Sequence, residues 1–156
     1  MPVDMTKEQL AMIVADVIAE HMGGQPSKPA CACPWTRDRS GVIGVDLPRV
    51  ATQPFPFQID VPPGSVRLVD LLTLDESPRV GCGIMEMDNT AFDWTLKYDE
   101  VDYVIDGTLE LIIDGRVMRA SAGQMLYVPK NTPLRFSAPG KVRFFYVVYP
   151  ANWSEQ

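Results

Sequence analysis

From Val66 to the C-terminus the chain alternates short apolar runs, rich in Val, Ile, Leu, Phe and Tyr, with polar turn pairs. The pairs are Ser77-Pro78, Asp88-Asn89, Asp106-Gly107, Asp114-Gly115, Ala122-Gly123, Pro129-Lys130 and Pro139-Gly140. Runs of this length, broken at near-regular intervals, predict antiparallel strands in a sandwich or barrel, and Asp-Gly suits tight hairpins. The N-terminus follows a different period. Leu10, Ile13, Val14, Val17, Ile18 and His21 share one face of a helix predicted from Met5 to Met22. Thr6 and Gln9 supply a capping box and Gly23-Gly24 the stop. Between these regions, residues 25–65 hold eight of the 14 prolines, which prevents regular helix and interrupts strand pairing. The expected organisation is an amphipathic helix over 1–23, a linker over 24–40 and an all-β barrel domain over 41–156, with Val42, Ile43, Val45 and Val50 lying extended along the barrel. An isolated helix of this length is marginal in water, so its apolar stripe must pack on its own barrel, on a symmetry mate or in a partner's groove.

With 156 residues and 46% apolar composition, the chain can bury one substantial core. A net charge of −6, a pI near 4.7 and scattered Lys and Arg give no footprint for nucleic acid or anionic membranes. No apolar run reaches the roughly 18 residues of a membrane span, and no secretory pattern opens the chain, so a cytoplasmic location is expected. Cys31, Cys33 and Cys82 make an odd count, which fits reduced thiols. A metal held by Cys31, Cys33 and His21 would lack the paired spacing of closed zinc sites. Strands without alternating helices exclude a doubly wound sheet, and no G-x-x-x-x-G-K-[ST] is present.

Two blocks follow the skeleton of the cupin motifs G-x5-H-x-H-x(3,4)-E-x6-G and G-x5-P-x-G-x2-H-x3-N. Glu100 is followed after six residues by Gly107, and Gly123 after five by Pro129. The metal-binding histidines are missing: their positions fall on Trp94 and Leu96, or on Asp93 and Thr95, and on Leu134. One remaining ligand of four predicts no tightly bound transition metal at that place. Mg²⁺, held by Glu100 and Asp102 together with a phosphate, needs fewer protein ligands. The resemblance implies a double-stranded β-helix barrel of jelly-roll type, with Trp94, Leu96, Tyr98, Glu100 and Asp102 sharing its inner face by parity. Inward carboxyls are costly unless paired, hydrogen-bonded or hydrated, so Glu100 and Asp102 are the first site candidates. In the plainer reading, Arg143 or Tyr146 pairs with them and merely satisfies the core. Glu86, Lys97, Asp99, Lys130 and Arg135 rank lower, as single charges near turns.

The run from Met87 to Asp102, MDNTAFDWTLKYDEVD, resembles a signature of the EutQ family, as do Gly123–Lys130 and Val142–Trp153. This resemblance spans about residues 65–154 and stops short of the N-terminal third. It implies a homodimeric cupin of ethanolamine utilisation, associated with a bacterial microcompartment, and an acetate kinase activity using ATP and Mg²⁺. Carried onto matching positions, it implies Glu100, Asp102 and Tyr98 as catalytic residues, with Trp94, Tyr146, Lys130 and Arg143 in the substrate pocket. The N-terminal helix resembles the encapsulation helices of microcompartment cargo, which implies shell or cargo proteins as partners. The alternatives are a non-catalytic assembly or shell-binding protein and a small-molecule-binding cupin.

Overall fold

Three long strands carry the fold in the computed structural model, which describes residues 33–155. The expected helix, and with it His21 and Cys31, lies outside the described residues. In chain order the strands are β1 (Trp35–Arg37), β2 (Ile43–Val45), β3 (Gln53–Pro54), β4 (Val66–Asp70), β5 (Gly81–Leu96), β6 (Asp99–Ile113), β7 (Arg116–Ser121), β8 (Met125–Val128) and β9 (Thr132–Tyr149). β1 and β2 form a hairpin, while the others join in the order β3-β4-β5-β9-β6-β7 with β8 on β6, every pair antiparallel. The long strands β5, β6 and β9 bend from one wall of the barrel into the next, as the all-β reading requires.

Bulges at the bends decide which side chains face inward. On β9 the even positions from Leu134 to Val148 are buried except Gly140. β5 buries Met85 and Met87, then Phe92 and Leu96, because the pairing with β9 shifts between Asp88 and Thr90. In the same way β6 buries Glu100, Asp102 and Val104, then Leu109 and Leu111, after shifts on either side of Gly107. An extra residue in one strand reverses its alternation. Gly107 takes a φ of 81°, and a Cβ there would strike the backbone of Lys141 and Val142, so the bend needs glycine. The inward residues form one core around Phe144, Leu96, Leu109 and Val104, each fully buried, and each stabilises the fold by roughly 1.5–3 kcal/mol.

A second apolar layer covers the outer face of the β4-β5-β9 wall. Val50, Leu71 and Ile84 are buried there against Trp35, Val45, Leu47 and Phe145. The Trp35 indole donates to the Leu71 carbonyl at 3.0 Å. Within the expected linker over 24–40, Trp35–Arg37 forms a strand and Trp35 packs on this layer; a tryptophan with a burial site overrides the surrounding prolines. An Arg143 clamp fastens the next stretch: its guanidinium pairs with Glu86 and donates to the carbonyls of Leu47 and Val50 at 2.9 Å each. Arg67 and Glu86 both bind Thr52. From this anchor the chain crosses the barrel mouth as a strap, with Phe55, Phe57, Ile59 and Val61 packed on the core and Pro56, Gln58 and Asp60 exposed.

Candidate functional site in the barrel interior

Beneath the strap lies a cavity lined by Phe55, Leu68, Met85, Phe92, Trp94, Tyr98, Glu100, Phe136, Tyr146 and Trp153. Its free volume of about 20 Å³ gives room for about one water molecule. Aromatic rings close it on the strap side: the centroids of Phe55 and Phe57 lie 5.7 and 5.5 Å from Trp94, and Phe57 lies 5.7 Å from Trp153. Trp153 reaches the cavity from a 3-10 turn just beyond β9 (Trp153–Glu155), edge-on to Tyr98 and Tyr146.

β6 presents its two carboxyls inward at alternate positions, Glu100 on the cavity wall and Asp102 behind it with no exposed surface. Among the described residues, no protein N–H or O–H is placed to donate to either Asp102 oxygen. Two ionised carboxylates are acceptors only, so they cannot bond to each other, whereas one shared proton supplies the donor. The environment favours that proton. Burial raises Glu100 well above the usual carboxylate range and the charge of Asp102 raises it further. Burial likewise pushes Asp102 up to about 7, less far because Glu100 hydrogen-bonds to it. The pair therefore holds a proton at neutral pH.

Two tyrosines frame the pair. Tyr98, in the β5–β6 turn, accepts a 3.1 Å bond from the Trp94 indole and is raised chiefly by burial, then by Glu100. Tyr146 stands opposite Asp102 in the β6–β9 register and donates to Asp70 Oδ1 at 2.6 Å. The same oxygen accepts from the Trp153 indole at 3.1 Å. Gly83 makes this reach possible, since a Cβ there would collide with the Tyr146 hydroxyl and the Val69 carbonyl. Asp70 also lines an outer groove of about 430 Å³, so the Tyr146–Asp70 bond links the cavity wall to the surface.

Trp94, Tyr98, Glu100 and Asp102 thus converge as parity implies, and Tyr146, which the resemblance implied, stands beside them. Lys130 and Arg143 do not. Arg143 stands three residues from Tyr146, so a regular strand turns the two to opposite faces, and its charge is taken up in the outer clamp. Of the plainer reading's two partners for the carboxyls, Arg143 is therefore excluded. Lys130 is exposed in the β8–β9 turn, where its backbone N–H donates to Asp99 at 2.8 Å. Asp99 also accepts from Tyr127, Glu86 belongs to the clamp, and Arg135 pairs with Asp93 across exposed strands. Sequence reasoning missed Phe55, Phe57, Asp70 and Trp153. Asp70 shares parity with the buried Val66 and Leu68 on β4, and that signal was available.

Magnesium fits this closed interior poorly. Mg²⁺ demands octahedral oxygen ligation and keeps several waters, whereas the cavity wall offers one carboxyl, Glu100, and room for about one water. Among the described residues no group of three or more His, Cys, Asp or Glu side chains converges as a metal site.

Comparison with known proteins places the chain. The family described as "Ethanolamine utilisation protein EutQ" matches residues 5–155. The chain belongs to the EutQ family. Over 154 residues it is 44% identical to a Clostridioides difficile protein named "Acetate kinase EutQ", covering 98% of this chain and 97% of that one. The solved C. difficile EutQ structure superposes with a TM-score of 0.72 at 49% identity, over 76% of this chain and 95% of the other. The Salmonella typhimurium protein of the same name is 43% identical over 91 residues, which is 58% of this chain but only 40% of the longer relative. The cupin domain of Schizosaccharomyces pombe Cnp3, at 17% identity and a TM-score of 0.56 over 72% of this chain and 77% of that one, confirms the cupin fold. The family match and the C. difficile alignment extend the likeness through the N-terminal third, where sequence reading had stopped it near residue 65. As an EutQ protein the chain is a protein of ethanolamine utilisation, and no helix among the described residues is long and apolar enough to cross a membrane.

Proposed function

We propose that this EutQ protein is an acetate kinase, moving a phosphoryl group between ATP and acetate in two-carbon metabolism. The observation that carries the reading is the 44% identity, across nearly the whole chain, to a relative of that name. In this proposal the Glu100–Asp102 pair is the centre of the site, with Tyr98, Trp94 and Tyr146 around it. Substrates reach it when the strap lifts, because the closed cavity admits about one water. ATP-dependent acetyl phosphate formation, measured on wild type beside Glu100→Gln and Asp102→Asn prepared identically, tests it. The expected result is turnover in wild type, reduced at least about a hundredfold in both variants at unchanged melting temperature. Equal turnover in all three would move the chemistry out of the barrel, and none in wild type would end the kinase reading.

The proposal extends to a homodimer located in a bacterial microcompartment, with residues 5–22 as the helix that docks on shell or cargo. Removing residues 1–23 is then expected to abolish recruitment and leave turnover intact; the reverse outcome would favour an assembly role. One observation favours a second reading, a small-molecule-binding cupin. Among the described residues the cavity wall carries carboxyl and aromatic groups and no Lys, Arg or His, a poor match to anionic acetate and phosphates.

A further inference from the structure

We infer that the barrel interior binds a small primary ammonium ion, its head group held by the Glu100 carboxyl, with Asp102 behind it, among the rings of Trp94, Tyr98 and Trp153. This inference deepens the small-molecule-binding reading and stands apart from the kinase proposal.

Four observations lead to it. The first is sign: among the described residues every ionisable group on the cavity wall is an acid, and Asp102 adds a second carboxyl behind it. An anion entering here would meet uncompensated like charge, whereas a cation would offset the negative charge of the ionised pair. The second is an unfilled demand for donors. Asp102 is fully buried, and among the described residues its oxygens meet no donor beyond the proton it shares with Glu100, which is itself only 7% exposed. Buried carboxyls are ordinarily hydrogen-bonded, and an ammonium head brings three N–H donors and no acceptor. The third is the wall itself, since aromatic rings attract organic cations within about 6 Å and contribute none of the oxygen ligands that a hydrated metal needs.

The fourth is size and access. The free volume of about 20 Å³ matches a head group of water size. A short carbon tail would occupy the space now filled by Phe55 and Phe57. Within residues 56–64 the strap's backbone hydrogen bonds, among the described residues, are internal ones: Val61 to Ile59, and Ser65 N–H back to Pro62. Side-chain packing alone therefore holds this stretch on the barrel, and it can yield to a ligand without breaking a sheet.

Binding also moves a proton. The carboxyl pair holds one at neutral pH, and the incoming cation replaces it, so one proton leaves to solvent as one positive charge enters. The other titratable groups facing the pair are Tyr98 from the β5–β6 turn and Tyr146 from β9, with Asp70 of β4 and Cys82 of β5 beyond Tyr146. Both tyrosines are raised and stay neutral below pH 8, which leaves the carboxyl pair to govern the response in that range.

Ethanolamine hydrochloride is the probe, titrated calorimetrically into the full chain at pH 6, 7 and 8 in buffers of different ionisation enthalpy. Saturable binding that tightens about tenfold from pH 6 to 8 and releases protons is expected. Glu100→Gln and, independently, Trp94→Leu should each weaken it about tenfold or more while melting stays cooperative. Sodium acetate and magnesium chloride should give no saturable heat. Absence of ethanolamine binding at pH 8, saturation by acetate instead, or ethanolamine binding indifferent to both substitutions would overturn the inference. ATP is absent from the titration, so failure here leaves the kinase assay standing, and the reverse also holds.

Discussion

Asp102 sets the chemistry at the scale of single residues. Folding raises its pKa from 3.8 to about 7, so the folded chain binds that proton more tightly than the unfolded chain. The stabilisation is complete below about pH 4 and is lost as pH rises through about 7. The whole span is worth on the order of a few kcal/mol. Glu76 acts in the opposite sense and elsewhere: hydrogen bonding from Arg37 lowers it to about 2 from 4.5, so its contribution is lost only in strong acid. Between pH 5 and 8, wild type should lose several degrees of melting temperature, and Asp102→Asn should lose clearly less; parallel melting curves for the two would refute the assignment. The inward face bearing Trp94, Tyr98, Glu100 and Asp102 was legible because period-2 parity survives the tight β5–β6 turn. The same rule, applied to β9, would have excluded Arg143, which lies an odd number of residues from Tyr146.

Among the elements, the strap is the one sequence reading passed over. Phe55, Phe57, Ile59 and Val61 alternate with Pro56, Gln58 and Asp60, a strand-like pattern hidden by the density of prolines. Proline removes the backbone donors of a ladder but leaves the side-chain alternation intact, so the segment packs as a strand would without pairing as one. Its attachment through side chains predicts fast opening. Amide exchange should be orders of magnitude quicker at Gln58 to Val61 than in the centres of β5 and β9. Phe57→Ala should quicken it further and cost about 1–2 kcal/mol, less than the 3–5 of a fully buried Phe. Protection of the strap equal to that of β9 would show that the mouth does not open locally.

For the whole molecule, regular turn pairs and two motif skeletons were enough to give an antiparallel cupin barrel. The bulges at Asp88/Thr90 and around Gly107 were not legible, since a parity reversal appears only when two strands are paired. Closure of the cavity by Trp153 was hidden as well, because it joins residues far apart in sequence. The architecture places a shared proton at the centre of an aromatic barrel, joined to the surface by Tyr146 and Asp70 and covered by a strap held through side chains. Its most direct test is a ¹³C titration of the Glu100 and Asp102 side-chain carboxyls between pH 4 and 9. One carboxyl of the pair still protonated at pH 6, with titration near 7 felt by both resonances, is the predicted result. Two carboxylates fully ionised at pH 5 would contradict it.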